Sequence, residues 1–172
     1  MNREIVVGIA DFKAGNEGTR LTTIGLGSCI GIILYSKWKP VAVLGHFMLP
    51  DSKSARKSQP LKPAKYADTC LDIMVDEMKS QGCPLRDLEA KAAGGASMFK
   101  RPGGNSAIMD ISTRNIESLK INLKRYGIHL RSEDLGGKKG RTITFNVDTR
   151  ELTIKIVDPG LSGSERYITS II

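Results

Sequence analysis

Thr22-Thr23-Ile24-Gly25-Leu26-Gly27-Ser28-Cys29-Ile30-Gly31-Ile32-Ile33-Leu34-Tyr35 runs through Ser36-Lys37-Trp38-Lys39-Pro40 into Val41-Ala42-Val43-Leu44-Gly45-His46-Phe47-Met48. The apolar, β-branched runs Ile30 to Tyr35 and Val41 to Met48 flank a polar turn, which predicts a β-hairpin. Both faces of the hairpin are apolar, so it is expected inside a sheet rather than at an edge. If Lys37 to Pro40 form the loop, Ser36 faces Val41 and His46 faces Gly31. Cys29 then lies diagonal to His46 on one face, with Cβ atoms ~4.5–8 Å apart. An odd-length loop would separate the two side chains to opposite faces.

Working outward, Glu4 to Ile9 reads as a strand and Asn16 to Arg20 as a polar loop. Asp51 to Pro63 is a long loop, and the segment from Ser52 to Lys65 carries Lys53, Arg56, Lys57, Lys62 and Lys65 without an acid. Ala67, Cys70, Leu71, Met74, Val75 and Met78 recur at helical spacing, predicting a helix over 64–81 that Gly82 and Pro84 end. Leu88 to Ala93 reads as a strand closed by Gly94-Gly95. A second helix is predicted over 113–126, with Ile116, Leu119, Leu123 and Tyr126 inward and Gly127 as its stop. Ile128 to Ser132 reads as a strand. Arg141 to Val147 and Leu152 to Val157 read as a second hairpin. The expectation is an α+β (layered α/β) fold with mixed, largely antiparallel β-sheets and two main helices on the outside. It is expected to be one domain over 1–172, with no element assigned to the tail from 158.

Composition narrows the function. Of 172 residues, 40% are apolar and 26% charged, as in an ordinary globular protein. No apolar run approaches the ~20 residues of a membrane span. The opening residues lack the flanks of a signal peptide. A cytoplasmic protein without membrane insertion is expected. Three cysteines, Cys29, Cys70 and Cys83, are widely spaced and give neither a disulfide framework nor a metal-ligand cluster. No cofactor and no metal are expected. The net charge of +8 raises nucleic acid as a partner. However, the few aromatics are scattered rather than interleaved with the basic residues, and no nucleic-acid motif is present, so none is expected.

A thiol beside an imidazole is the chemistry of a cysteine nucleophile with a histidine base. Gly25-Leu26-Gly27-Ser28 leads into Cys29, and glycines permit a tight turn that aims backbone N–H groups inward at an oxyanion. Gly27 and Ser28 are the candidate oxyanion loop. This reading requires the sulfur of Cys29 and the imidazole of His46 to open into one common cleft. The bland reading treats both as small or satisfied core residues. Cys70 belongs to a core helix stripe, Cys83 reads as an inert or partly exposed thiol, and His129 as a strand surface residue. Gly94-Gly95 is explained as well by a bare turn as by a substrate loop.

Several segments, taken in order, resemble one family. They are Leu26-Gly27-Ser28-Cys29, Gly45-His46-Phe47-Met48-Leu49-Pro50, Lys65-Tyr66-Ala67-Asp68, Lys91-Ala92-Ala93-Gly94-Gly95-Ala96-Ser97-Met98-Phe99, Arg114-Asn115 and Gly136-Gly137. Together they resemble the chemoreceptor glutamine deamidases, CheD, from about residue 5 to residue 157. Leu135 and the tail after Val157 depart from the pattern. The resemblance implies a fold similar to the cytotoxic necrotizing factor deamidases. It also implies a catalytic set of Cys29, His46 and Thr23, the threonine orienting the histidine. Gly94, Gly95, Ala96, Ser97 and Phe99 are expected to bind substrate. The implied substrate is a glutamine on the cytoplasmic helical bundle of methyl-accepting chemotaxis receptors, with receptor glutamyl methyl esters as a second one. The implied regulatory partner is the phosphatase CheC. The alternative is a non-catalytic adaptor that binds receptors and tunes kinase signalling.

Overall fold

The computed structural model describes residues 3–97, 110–157, 160 and 167–172. Two five-stranded sheets stack face to face, and two helices cover the outer face of one of them. The first sheet runs in the order β1 (Arg3–Val6), β3 (Thr19–Leu26), β8 (Arg141–Asn146), β9 (Leu152–Val157), β10 (Tyr167–Ile171). The second runs β2 (Phe12–Gly15), β5 (Ala42–Phe47), β4 (Ile30–Ser36), β6 (Leu88–Gly94), β7 (His129–Leu135). Each sheet has one parallel pair, β1 with β3 and β6 with β7, and its other pairs are antiparallel. This is the mixed, largely antiparallel α+β arrangement that the sequence predicts.

The apolar hairpin is the centre of the second sheet. Every residue of β4 and β5 is buried, because one face meets the helices and the other meets the first sheet. Ile30, Ile32 and Leu34 pack with Val43 and Phe47 against α1 (Ala67–Ser80) and α2 (Ile111–Tyr126). Ile33, Tyr35, Ala42 and Leu44 pack on the other side against Leu21, Leu26, Ile143, Phe145, Leu152 and Ile154 of the first sheet. The register is the predicted one, with Gly31 opposite His46 and Tyr35 opposite Ala42.

Helix boundaries differ from the sequence expectation for local reasons. α1 starts at Ala67 rather than at 64, because Pro63–Lys65 forms a 3-10 turn. α2 starts at Ile111 rather than at 113, because the Asp110 side chain caps it by accepting from the Ser112 N–H at 3.2 Å. Strand β2 and the first half of β3 escape the sequence reading. The expected loop over 16–20 is shorter, and β3 already begins at Thr19. The tail holds a strand as well: β10 pairs antiparallel with β9, and the buried Lys91 donates to the carbonyl oxygen of Ile172 at 2.7 Å. Cys83, expected to be inert or partly exposed, is buried, while Cys70 is in the core and His129 is exposed as expected. Among the described residues no helix is long and apolar enough to cross a membrane.

Candidate active site

The face of the hairpin that meets the first sheet carries the chemistry. A side chain at Gly31 would have its Cβ 2.6 Å from Ile143 Cδ1 and 3.3 Å from Thr23 Cγ2, so glycine leaves room for these side chains of the first sheet to pack here. That packing brings Thr23 of β3 onto His46 of β5. Thr23 Oγ1 lies 2.7 Å from His46 Nδ1 and also 2.7 Å from the Val7 carbonyl oxygen. A carbonyl only accepts, so the single hydroxyl proton of Thr23 goes to Val7. Nδ1 must then carry the imidazole proton and donate it to Thr23. His46 is thereby held as the tautomer whose Nε2 has a free lone pair. Nε2 is buried and has no hydrogen-bond partner among the described residues. Burial pulls the His46 pKa down from 6.5 to about 4, so the ring is neutral near pH 7.

Cys29 immediately precedes β4 and packs on the same inter-sheet layer as Leu26 and Ile143, the side on which His46 lies. Unlike His46, it is partly exposed. Cys29 lines a cavity of about 390 Å³ together with Gly27, Ser28, Ala96, Ser97, Asp110 and Ile111. The expectation that sulfur and imidazole open into one cleft is therefore not met: Cys29 lines the cavity, and His46 does not. His46 is wholly buried because the first sheet seals it from behind. Burial raises the Cys29 pKa, and its own backbone N–H works the other way. Both shifts favour a resting pair of neutral thiol and neutral imidazole rather than a preformed thiolate.

The loop before the thiol is fixed by its carbonyls. Gly27 O accepts from the Ala96 N–H at 2.8 Å, Ser28 O from Asn115 Nδ2 at 2.9 Å, and Cys29 O from the Gly95 N–H at 2.9 Å. Three consecutive carbonyls thus point into the framework. Gly94 and Gly95 back this loop and do not line the cavity. Gly94 has φ +118°, and a Cβ there would sit 2.3 Å from Cys29 O, so the approach needs glycine. Ala96 and Ser97 do line the cavity; Phe99 lies outside the described residues. The N–H of Ser97 is also engaged, donating to Gly137 O at 2.9 Å.

Three residues matter here that no sequence pattern singles out by role. Asn115, fully buried on α2, donates from Nδ2 to both Ser28 O and Met48 O at 2.9 Å. It therefore ties the loop before Cys29 to the residue two positions after His46. Arg141 is buried and grips Asp134 through two contacts, at 3.0 and 3.1 Å, while donating to Gly94 O at 3.2 Å and Gly136 O at 2.8 Å. Asp110 lines the cavity. The Arg114-Asn115 pair and Gly136-Gly137 stood out only as matched segments, without a function. Asn115→Leu leaves two carbonyls without their donor and should cost about 2–3 kcal/mol, read as a lower urea midpoint. Asn115→Asp should cost more, because its carboxylate would face both carbonyl oxygens. No group of three or more His, Cys, Asp or Glu among the described residues could hold a metal ion.

The family model described as CheD chemotactic sensory transduction matches residues 48–156, beginning just after His46. Longer pairwise matches take in the hairpin. The chain is 42% identical over 160 residues to a chemoreceptor glutamine deamidase CheD of Halalkalibacterium halodurans, covering 93% of this chain and 98% of the relative. It is 45% identical over 162 residues to a probable chemoreceptor glutamine deamidase CheD of Clostridium novyi, covering 94% and 98%. A third relative, the probable chemoreceptor glutamine deamidase CheD of Clostridium botulinum, is 44% identical over 158 residues, covering 92% and 96%.

Proposed function

The chain belongs to the CheD family, and on that premise we propose that it deamidates glutamine side chains of chemotaxis receptors through a Cys29 thioester. The observation that carries the mechanism is the Thr23–His46 bond, which leaves a buried Nε2 without a partner among the described residues, on the inter-sheet face where the cavity-lining Cys29 also packs. The sulfur attacks the glutamine carbonyl carbon while its proton passes to Nε2. In this reading Nε2, buried in the protein without substrate, must be reached in turn by the sulfur, the leaving ammonia and a single water molecule. The oxyanion is held by the N–H groups of Ser28 and Cys29, the polar side of a loop whose carbonyls all face away. The carbon–nitrogen bond then breaks, and ammonia departs with the proton from Nε2. In the second half, water loses a proton to Nε2 and attacks the thioester. The thiolate leaves and recovers that proton. The balance is one amide and one water in, one glutamate carboxyl group and one ammonia out. A receptor glutamyl methyl ester fits the same steps, with methanol as the leaving group.

Gly27 and Ser28 form the oxyanion loop in this reading, and Gly94, Gly95, Ala96, Ser97 and Phe99 belong to the segment that frames the substrate. The receptor's cytoplasmic helical bundle presents glutamines on its surface, so a partly exposed thiol reaches them without unfolding the receptor. Lys53, Arg56, Lys57 and Lys62 are exposed on the loop that leaves Met48 and suit an acidic receptor surface. A CheC phosphatase docked over the cavity would compete with the receptor. The protein acts in the cytoplasm, as one domain whose fold is akin to the cytotoxic necrotizing factor deamidases. The test is incubation with a receptor helical-bundle fragment, following ammonia release and the mass of each glutamine peptide. Glutamine-to-glutamate conversion is expected. A fragment that keeps all its glutamines overturns the assignment.

A further inference from the structure

The cavity in front of Cys29 contains one formal charge from the described residues, and it is negative in a chain of net charge +8. That charge belongs to Asp110. Among the described residues no lysine or arginine shares the cavity lining. The carboxylate does two jobs in one place. Its Oδ1 caps α2 by accepting from the Ser112 N–H at 3.2 Å, and its exposed side faces the cavity. Hydrogen bonds from the Ser97 and Ser112 side chains hold its pKa below the usual carboxylate range, so it stays ionised. Ser97, the first of these donors, lines the same cavity.

We infer that Asp110 is a specificity-determining residue that selects a side-chain amide over a carboxylate or an ester in the Cys29 cavity, by accepting from the amide NH₂ and repelling the anionic product. The inference rests on the reading of Cys29 as the nucleophile. The chemistry is that of donor and acceptor matching. With the carbonyl oxygen of a glutamine turned to the N–H groups of Ser28 and Cys29, its NH₂ needs an acceptor, and a carboxylate is acceptor only. An ester offers no N–H to that carboxylate. The glutamate formed carries a negative charge, which the same group pushes out.

The test compares alkylation of Cys29 by iodoacetamide, which carries a primary amide, and by iodoacetate, its carboxylate counterpart. Intact protein and its Asp110→Asn and Asp110→Glu variants are used at low salt. Asparagine caps helices as well as aspartate does, so folding is preserved and is checked by the melting temperature. Any change in the thiol pKa affects both reagents alike and cancels in the ratio. The iodoacetamide-to-iodoacetate rate ratio is expected to fall about threefold to tenfold in Asp110→Asn, the scale of one charge at a solvated site, and to persist in Asp110→Glu. In parallel, amide turnover on the receptor fragment should fall relative to glutamyl methyl ester turnover. An unchanged reagent ratio in an Asp110→Asn protein that still deamidates receptor overturns the role of Asp110 and leaves the deamidase reading intact. A wild-type protein that converts no receptor glutamine overturns the deamidase reading, and the reagent ratio then still reports on Asp110.

Discussion

Cys29→Ala is expected to abolish ammonia release from a receptor fragment, a fall of at least about 10⁴-fold in kcat, because the thioester cannot form. Binding and the loop before residue 29 should survive the change. The carbonyls of Gly27, Ser28 and Cys29 are pinned by Ala96, Asn115 and Gly95, none of which contacts the sulfur through these bonds. The variant should therefore fold and still bind receptor, with its melting temperature close to the parent's. The other two cysteines offer no substitute. Both are buried, and burial lifts the Cys70 pKa to about 12. Iodoacetamide should consequently label one thiol faster than the other two in the parent protein, and none at that rate in Cys29→Ala. Full deamidation by Cys29→Ala would remove the nucleophile from the mechanism. Full receptor signalling by a variant without turnover would leave the adaptor reading in its place.

His46→Gln is expected to lower kcat by about 10²–10⁴-fold, the range for loss of a positioned general base. Its second effect is on acid stability. In the folded protein the imidazole pKa lies near 4, against 6.5 for an ordinary histidine, because the ring is enclosed between the sheets. Between those two values the unfolded chain binds a proton that the folded chain refuses. Stability from this residue is then complete above pH 6.5 and is lost as pH falls toward 4. The urea midpoint of the parent protein should drop between pH 7.5 and pH 4.5 by more than that of His46→Gln. Equal drops would mean that His46 is not held neutral by burial. The kinetic consequence follows from the same shift. A base already neutral at pH 5 does not limit turnover there, so the acid limb of the rate profile should lie well below pH 6.5.

The placement of Cys29 and His46, the proposed nucleophile and base, was legible from sequence because they lie on one hairpin. The register of β4 and β5 follows from the length of a polar loop between two apolar runs, and alternation along a strand then places His46 opposite Gly31. The two helices were legible for the same reason: the stripe from Ala67 to Met78 repeats within one turn-to-turn period. Local periodicity and turn chemistry thus determined the α+β class, the central hairpin and the common face of Cys29 and His46. The tertiary structure decided the rest. The Thr23–His46 bond, which sets the tautomer, joins two different sheets. The Asn115 bonds join α2 to loops 87 and 67 positions away. Asp110 reaches the thiol's cavity only because α2 begins at its rim, and β10 exists only because β9 offers it an edge. Such contacts depend on how finished elements pack against one another, and no period within a single segment encodes that.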